Sequence, residues 1–176
     1  MTSARRTIPT RVTYLEMKAA PPGPLDAPAP PPGARVVHRP APAVDWYLDL
    51  YDRVGATHTW TARKLMPRAE LAALLADPAV EVHALEVDGA LAGWVEFDRR
   101  RPGEVELAYF GLIPSFHGRG LGRFLLDWGI RYAWRELKPS GLWLHTCDLD
   151  SPAALKLYFS TGFKKFKQQE ETVDLP

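Results

Sequence analysis

Leu112-Ile113-Pro114-Ser115-Phe116-His117-Gly118-Arg119-Gly120-Leu121-Gly122-Arg123 is the stretch that decides how this chain is read. Before it, Glu104 to Leu112 is rich in aliphatic and aromatic residues, as a strand would be. After it, Leu121 to Leu137 carries Arg123, Asp127, Arg131 and Arg135 at steps of four, a polar stripe on an otherwise apolar helix whose remaining surface should be buried. The glycines therefore stand where a strand hands over to a helix. The first amides of a helix have no partner within it, and with the helix dipole they favour a phosphate. Arg119 and Arg123 add positive charge. Each dipole contribution is only about 0.3–1 kcal/mol in exposed settings, so such a ligand needs several amides and burial of its remaining body. The plainer alternative is a tight turn with no ligand. A dinucleotide fingerprint is excluded, because Gly118, Gly120 and Gly122 do not follow Gly-x-Gly-x-x-Gly and no series of parallel βαβ units surrounds them.

Outward from this loop the pattern is mixed α/β. Val80 to Val87, an Asp88-Gly89 hairpin turn, Leu91 to Phe97, a turn at Arg100-Arg101-Pro102-Gly103 and then Glu104 to Leu112 predict a three-strand meander. Further upstream, Val36 to Arg39 reads as a strand stopped by Pro40. It feeds an amphipathic helix over Asp45 to Val54, with Trp46, Leu50, Tyr51 and Val54 at helical spacing, and a second helix follows near Pro67 to Ala76. Downstream come a strand over Leu142 to Cys147, a helix opened by Ser151-Pro152 and closed by Gly162, and a last strand over Phe163 to Val173. The first ten residues are polar and expected to fray, and Val12 to Met17 alternates as a short, peripheral strand. Residues 19–34 are mostly Ala, Pro and Gly, a surface linker in preference to a proline-recognition motif. The expected organisation is an N-terminal strand and linker over 1–35 and one domain over 36–176, with no internal repeat.

Composition narrows the function classes. With 176 residues, 46% of them hydrophobic, the chain can bury one core. Its 22 basic and 21 acidic residues nearly balance, so no global field draws nucleic acid or an anionic membrane, and a small molecule or peptide is the better partner. Cys147 is the only cysteine, which excludes an internal disulfide and a thiolate metal cage and suits a reducing cytoplasm; its case as a nucleophile is weak. Arg5-Arg6 is followed by no apolar region of an export signal, and no run approaches the roughly 18 apolar residues of a membrane span. His38, His58, His83 and His117 show no metal-ligand spacing with one another or with Asp and Glu, so no metal is expected.

The loop resembles the signature of the GNAT superfamily of N-acetyltransferases, whose core is Gln or Arg, two residues, Gly, one residue, and Gly or Ala. Gly120 and Gly122 match it, and His117 stands where Gln or Arg is usual. Ser151-Pro152-Ala153-Ala154-Leu155-Lys156-Leu157-Tyr158-Phe159-Ser160-Thr161-Gly162-Phe163 resembles the family's C-terminal motif, Asn-x-x-A-x-x-x-Tyr-x-x-x-Gly-Phe, with Ser151 in place of Asn. The pair is far more specific than either alone, and the resemblance runs from about Val36 to the C-terminus. It implies the GNAT fold: a central mixed, mostly antiparallel twisted sheet flanked by about four helices. It also implies acetyl-coenzyme A as co-substrate, with Phe110, Gly111 and Leu112 beside the thioester and pantetheine on a strand that splays open at Gly111. The amides from Gly118 through Arg119, Gly120, Leu121 and Gly122 to Arg123 would hold the pyrophosphate, and Ser151 would complete the site.

Acetyl transfer needs a neutral amine, a polarised thioester carbonyl and a proton for the departing thiolate. By the resemblance Tyr158 is the proton donor, against a reading as a packed core tyrosine. Glu106, on the strand before the loop, resembles the base of some branches; a carboxylate buried there would have its pKa raised, and its alternative is an ion pair with an arginine. His145 is the rival base, because imidazole titrates near neutrality; its alternative is a hydrogen-bonded core histidine. Trp46, Tyr47, Tyr51 and Trp60, with Trp94 and Tyr109, are candidates for an acceptor pocket, although core packing is the commoner role of such rings. The expected activity is transfer of an acetyl group from acetyl-CoA to a primary amine of a small molecule or peptide. A non-catalytic acyl-CoA-binding regulator and a partner-binding domain are the competing readings. The acceptor, the acyl length, the choice between Glu106 and His145 and any homodimer are left open.

Overall fold

The computed structural model describes residues 6–176. Seven strands form one sheet: β1 (Thr7–Met17), β2 (Ala34–His38), β3 (Val80–Val87), β4 (Ala90–Asp98), β5 (Glu104–Leu112), β6 (Gly141–Cys147) and β7 (Lys164–Asp174), in the spatial order β2-β3-β4-β5-β6-β1-β7. Of the neighbouring pairs, β5 with β6 alone is parallel. The helices are α1 (Val44–Gly55), α2 (Ala62–Leu65), α3 (Arg68–Ala76), α4 (Leu121–Tyr132) and α5 (Pro152–Ser160). The mixed, mostly antiparallel sheet flanked by helices is the expected architecture, and the β3–β5 meander lies where the hairpin turns put it.

Strand alternation divides the core in two. Val95 and Phe97 point toward α4, whose Leu121, Leu125, Leu126 and Ile130 are buried with them, and α5 packs on the same cluster through Tyr158. Trp94 points the other way, into a cluster built by α1 and α3 through Tyr47, Leu50, Tyr51, Val54, Leu71 and Leu75. The last turn of the long helix is wider than α: Ala133–Leu137 is π-helical and ends in left-handed Lys138.

Three expectations are corrected. β1 is not peripheral: it lies between β6 and β7, antiparallel to both, with Leu15 opposite Leu144 on one side and Lys165 on the other. It begins at Thr7, so residues 7–10 do not fray; residues 1–5, including Arg5, lie outside the described residues. The surface around the polar stripe of the long helix is not all buried, since Trp128, Tyr132 and Trp134 are only partly so. The linker runs across that stripe, and its Pro24 and Leu25 carbonyls accept from Arg131 and Arg135. Pro67 is the N-cap of α3, just ahead of its first turn. No helix among the described residues is long and apolar enough to cross a membrane.

Candidate active site

β5 and β6 are paired only over Glu104–Glu106 and Gly141–Trp143. Beyond that point β5 continues along β4 while β6 continues along β1, and the two diverge. A register shift between Glu96 and Phe97 bulges Ala108 out of the β4–β5 ladder, which bends β5 next to the opening. The gap is a cleft of about 1240 Å³. Of the residues singled out by sequence, Glu106, Phe110, Gly111, Leu112, Gly118, Gly120, Gly122, Arg123, His145, Ser151 and Tyr158 all line it.

At one end the Gly-rich loop forms a cradle. Gly118 and Gly120 have φ of 73° and 75°, a backbone that other residues adopt only with strain, and a Cβ at either would meet open space. Gly120 caps α4 with no side-chain hydrogen bond, so the amides of Leu121 to Arg123 are left to an outside acceptor. His117, where Gln or Arg is usual, donates from Nε2 to the Leu112 carbonyl at 3.1 Å and fastens the loop to the end of β5. The Leu121 side chain is core, so its amide is what it has to offer, as expected. Arg119 differs from expectation: it does not line the cleft, and its guanidinium lies 5.4 Å above the Phe116 ring. Free helix amides, a bare glycine surface and the Arg123 cation fit a pyrophosphate.

Toward the middle, the two rival bases are neighbours: His145 Nδ1 lies 3.3 Å from Glu106 Oε1. The carboxylate raises the pKa of His145, more than partial burial lowers it. Tyr158 is buried at 7% exposure, between Phe110 and Phe163, and burial pushes its hydroxyl pKa far above the ordinary value; it is a neutral O–H at any working pH. Burial likewise raises the Cys147 thiol, which disfavours the thiolate a nucleophile requires.

At the other end, Tyr51, Trp60 and Tyr109 form an aromatic wall, with Trp60 and Tyr109 ring centroids 5.3 Å apart. Trp94 and Tyr47 are instead fully buried behind it, and Trp46 stacks under Arg39. The wall rests on a polar network that the sequence did not disclose. Arg63, on the four-residue α2, donates to Glu96 Oε1 at 2.7 Å and to Tyr47 Oη at 3.3 Å, while Tyr47 donates to Glu96 Oε2 at 2.6 Å. The guanidinium sits 5.0 Å over Tyr109. Burial is the largest influence and acts against its charge, but Glu96, Tyr47 and Tyr109 together outweigh it and the arginine is held protonated more firmly than usual. Asp150 was also missed. Its carboxylate accepts from Trp60 Nε1 at 2.8 Å and Thr146 Oγ1 at 2.7 Å, so it clasps the loop after α1 to the far bank of the cleft. Two aspartates flanking Leu149 in a loop give no local hint of that partner.

Residues 44–163 match the model of the acetyltransferase (GNAT) family. The chain belongs to that family. Similar solved structures include a GCN5-related N-acetyltransferase from Kribbella flavida, at 19% identity and TM-score 0.59 over 97% of this chain and 60% of that one. A tandem GNAT protein from the clavulanic acid biosynthesis pathway matches at 18% identity and TM-score 0.63, over 97% and 55%. An aminoglycoside acetyltransferase from an uncultured soil metagenomic sample, solved with sisomicin, matches at 12% identity and TM-score 0.58, over 74% and 88%. At such identities the likeness is one of fold. The chain spans 52–65% of the length of the first six structures it resembles. A search of curated proteins finds no match.

Proposed function

We propose that this GNAT protein transfers an acetyl group from acetyl-coenzyme A to a primary amine of a small molecule or peptide. The observation that carries the reading is the meeting, in one cleft, of a glycine cradle, a Glu106–His145 pair and a neutral buried tyrosine. The cofactor brings the activated thioester. Amides from Leu121 to Arg123 would hold its pyrophosphate, and the bent end of β5 at Phe110 to Leu112 would carry the pantetheine arm. His145 takes the proton from the attacking amine, with Glu106 orienting the ring and stabilising the imidazolium that forms. The amine nitrogen bonds to the acyl carbon as the carbon–sulfur bond breaks, and Tyr158 donates its hydroxyl proton to the departing sulfur. The aromatic wall of Tyr51, Trp60 and Tyr109 suits the flank of an amine-bearing acceptor.

Calorimetric titration with acetyl-CoA, followed by thiol release with a panel of amines, tests the reading. The panel includes an aminoglycoside, the class named for one structural neighbour. Saturable binding that is lost in Gly120→Val, with thiol release above background for at least one amine, is expected. No binding by the native chain sinks the proposal; binding without turnover across the panel favours an acyl-CoA-binding regulator.

A further inference from the structure

At the β2 edge of the sheet, on the face covered by α4, three side chains capable of binding a metal converge. His38 and His83 are directly opposed in the β2–β3 ladder, so both side chains rise from one face. Their rings stack with centroids 4.7 Å apart. Glu81 stands two residues before His83 and shares that face, with its Oε2 3.0 Å from His83 Nε2. One ligand atom from each residue lies within 4.8 Å of the other two. None of the three lines the acyl-transfer cleft. The separation of His38 from the Glu81-Val82-His83 segment in the chain hides the group from any reading of spacing; the strand register assembles it.

We propose that His38, Glu81 and His83 bind one first-row transition-metal ion of the zinc class, clipping the edge strand β2 to β3. Two imidazoles and a carboxylate suit zinc, cobalt or nickel and not magnesium or calcium, which prefer oxygen donors. Three protein ligands leave a fourth tetrahedral position for water. Zinc–ligand bonds of about 2.0–2.2 Å set tetrahedral donor atoms roughly 3.3–3.5 Å apart. Glu81 and His83 already satisfy this within a few tenths of an ångström. Only His38 must close in, and it is exposed on an edge strand.

The surroundings supply the outer partners that a metal ligand needs. Tyr132 donates to Glu81 Oε2 at 2.7 Å and Arg99 to Oε1 at 2.8 Å, which fixes the carboxylate plane. An ionised carboxylate has about four lone-pair sites, so the ion replaces the His83 contact without displacing either donor. Arg99 is the opposing charge. It also donates to the Pro78 carbonyl, and its side chain is 36% exposed, so solvent screens much of its repulsion.

Titration of the tag-free protein with cobalt(II) chloride, followed by visible absorption, and with zinc chloride by calorimetry decides the matter. One equivalent is expected to bind with the absorption of a tetrahedral cobalt site and a higher melting temperature, while magnesium chloride does neither. Loss of an outer-shell partner alone lowers metal affinity by about 10–100-fold, so His38→Ala should weaken binding by at least that much. His38 is exposed, and its variant should keep the metal-free melting temperature. His83→Gln should abolish binding. No saturable cobalt or zinc binding by the native chain, or binding unchanged in His38→Ala, overturns the proposal.

Discussion

A histidine 3.3 Å from a carboxylate is a stronger base than either group alone, and the consequence is visible in pH dependence. The proposed mechanism requires a neutral His145, so activity should fall as pH drops through its raised pKa. In Glu106→Gln the main cause of that rise is gone. The acidic limb of kcat/KM against pH should then move to lower pH, with a lower plateau; an unmoved limb would separate Glu106 from the base. Tyr158→Phe keeps the packing against Phe110 and Phe163 and removes only the proton. Its kcat should fall by about 10² to 10⁴ with acetyl-CoA binding preserved, as measured by steady-state rates and calorimetry. The raised pKa of His145 has a sign for folding too. The charged pair adds stability fully below the ordinary histidine pKa, and that contribution is lost as pH rises through the raised value. Behind the cleft, Arg63→Met would leave Glu96, with 0% exposure, as a buried charge without its cation. The expected loss is about 3–5 kcal/mol in urea unfolding, and adding Glu96→Gln should recover part of it.

Elements whose signals are local were legible in the sequence. The glycine cradle, each turn of the meander and the Tyr158 helix announce themselves locally, because turn chemistry and helix caps act at short range. What could not be read was which distant elements touch. Gly111 illustrates this: it was expected to help the strand splay, yet it is paired with Trp94, and a Cβ there would lie 2.5 Å from Val54 Cγ1 of α1. Glycine at 111 answers to a close helix-on-strand contact, and the bend belongs to the bulge at Ala108. Gly111→Ala should therefore cost about 1–3 kcal/mol by overpacking. Combined with Val54→Ala the cost should be less than the sum of the two singles, because each relieves the other. Additive losses in denaturant unfolding would show that the contact is not what constrains the position. The α2 segment of four residues is too short for any periodicity, so Arg63, and with it the network under Tyr109, went unread. Asp150 and the His38–Glu81–His83 group were missed for the same reason, since strand register and loop clasps are long-range facts.

At the scale of the molecule, the feature least legible in the sequence is the place of β1. The run Val12 to Met17 shows the alternation of a strand, but nothing in its spacing says that it belongs between β6 and β7. Without β1 those two strands have no ladder between them, and β6 becomes a sheet edge just where His145 and Cys147 face the cleft. Thr10 and Val12 themselves line that cleft, and Thr10 holds Asp148 through a 2.6 Å hydrogen bond. Residues outside the segment matched to the family thus form part of the candidate active site. The energetic stake is large. Val12, Leu15 and Met17 are each almost fully buried, at about 1.5–3 kcal/mol apiece. That is comparable with the roughly 5–15 kcal/mol that holds a whole domain folded, before two ladders of backbone hydrogen bonds are counted. A chain beginning at residue 34 should therefore fail to melt cooperatively or should aggregate through the bared edges. Adding the 7–17 segment as a separate peptide should restore part of the structure, because the pairing is intermolecular in principle. Circular dichroism melts of the shortened chain, with and without peptide, check this. A cooperative transition within a few degrees of the full chain would mean that β6 and β7 close on each other directly and that β1 is an addition to a fold complete without it.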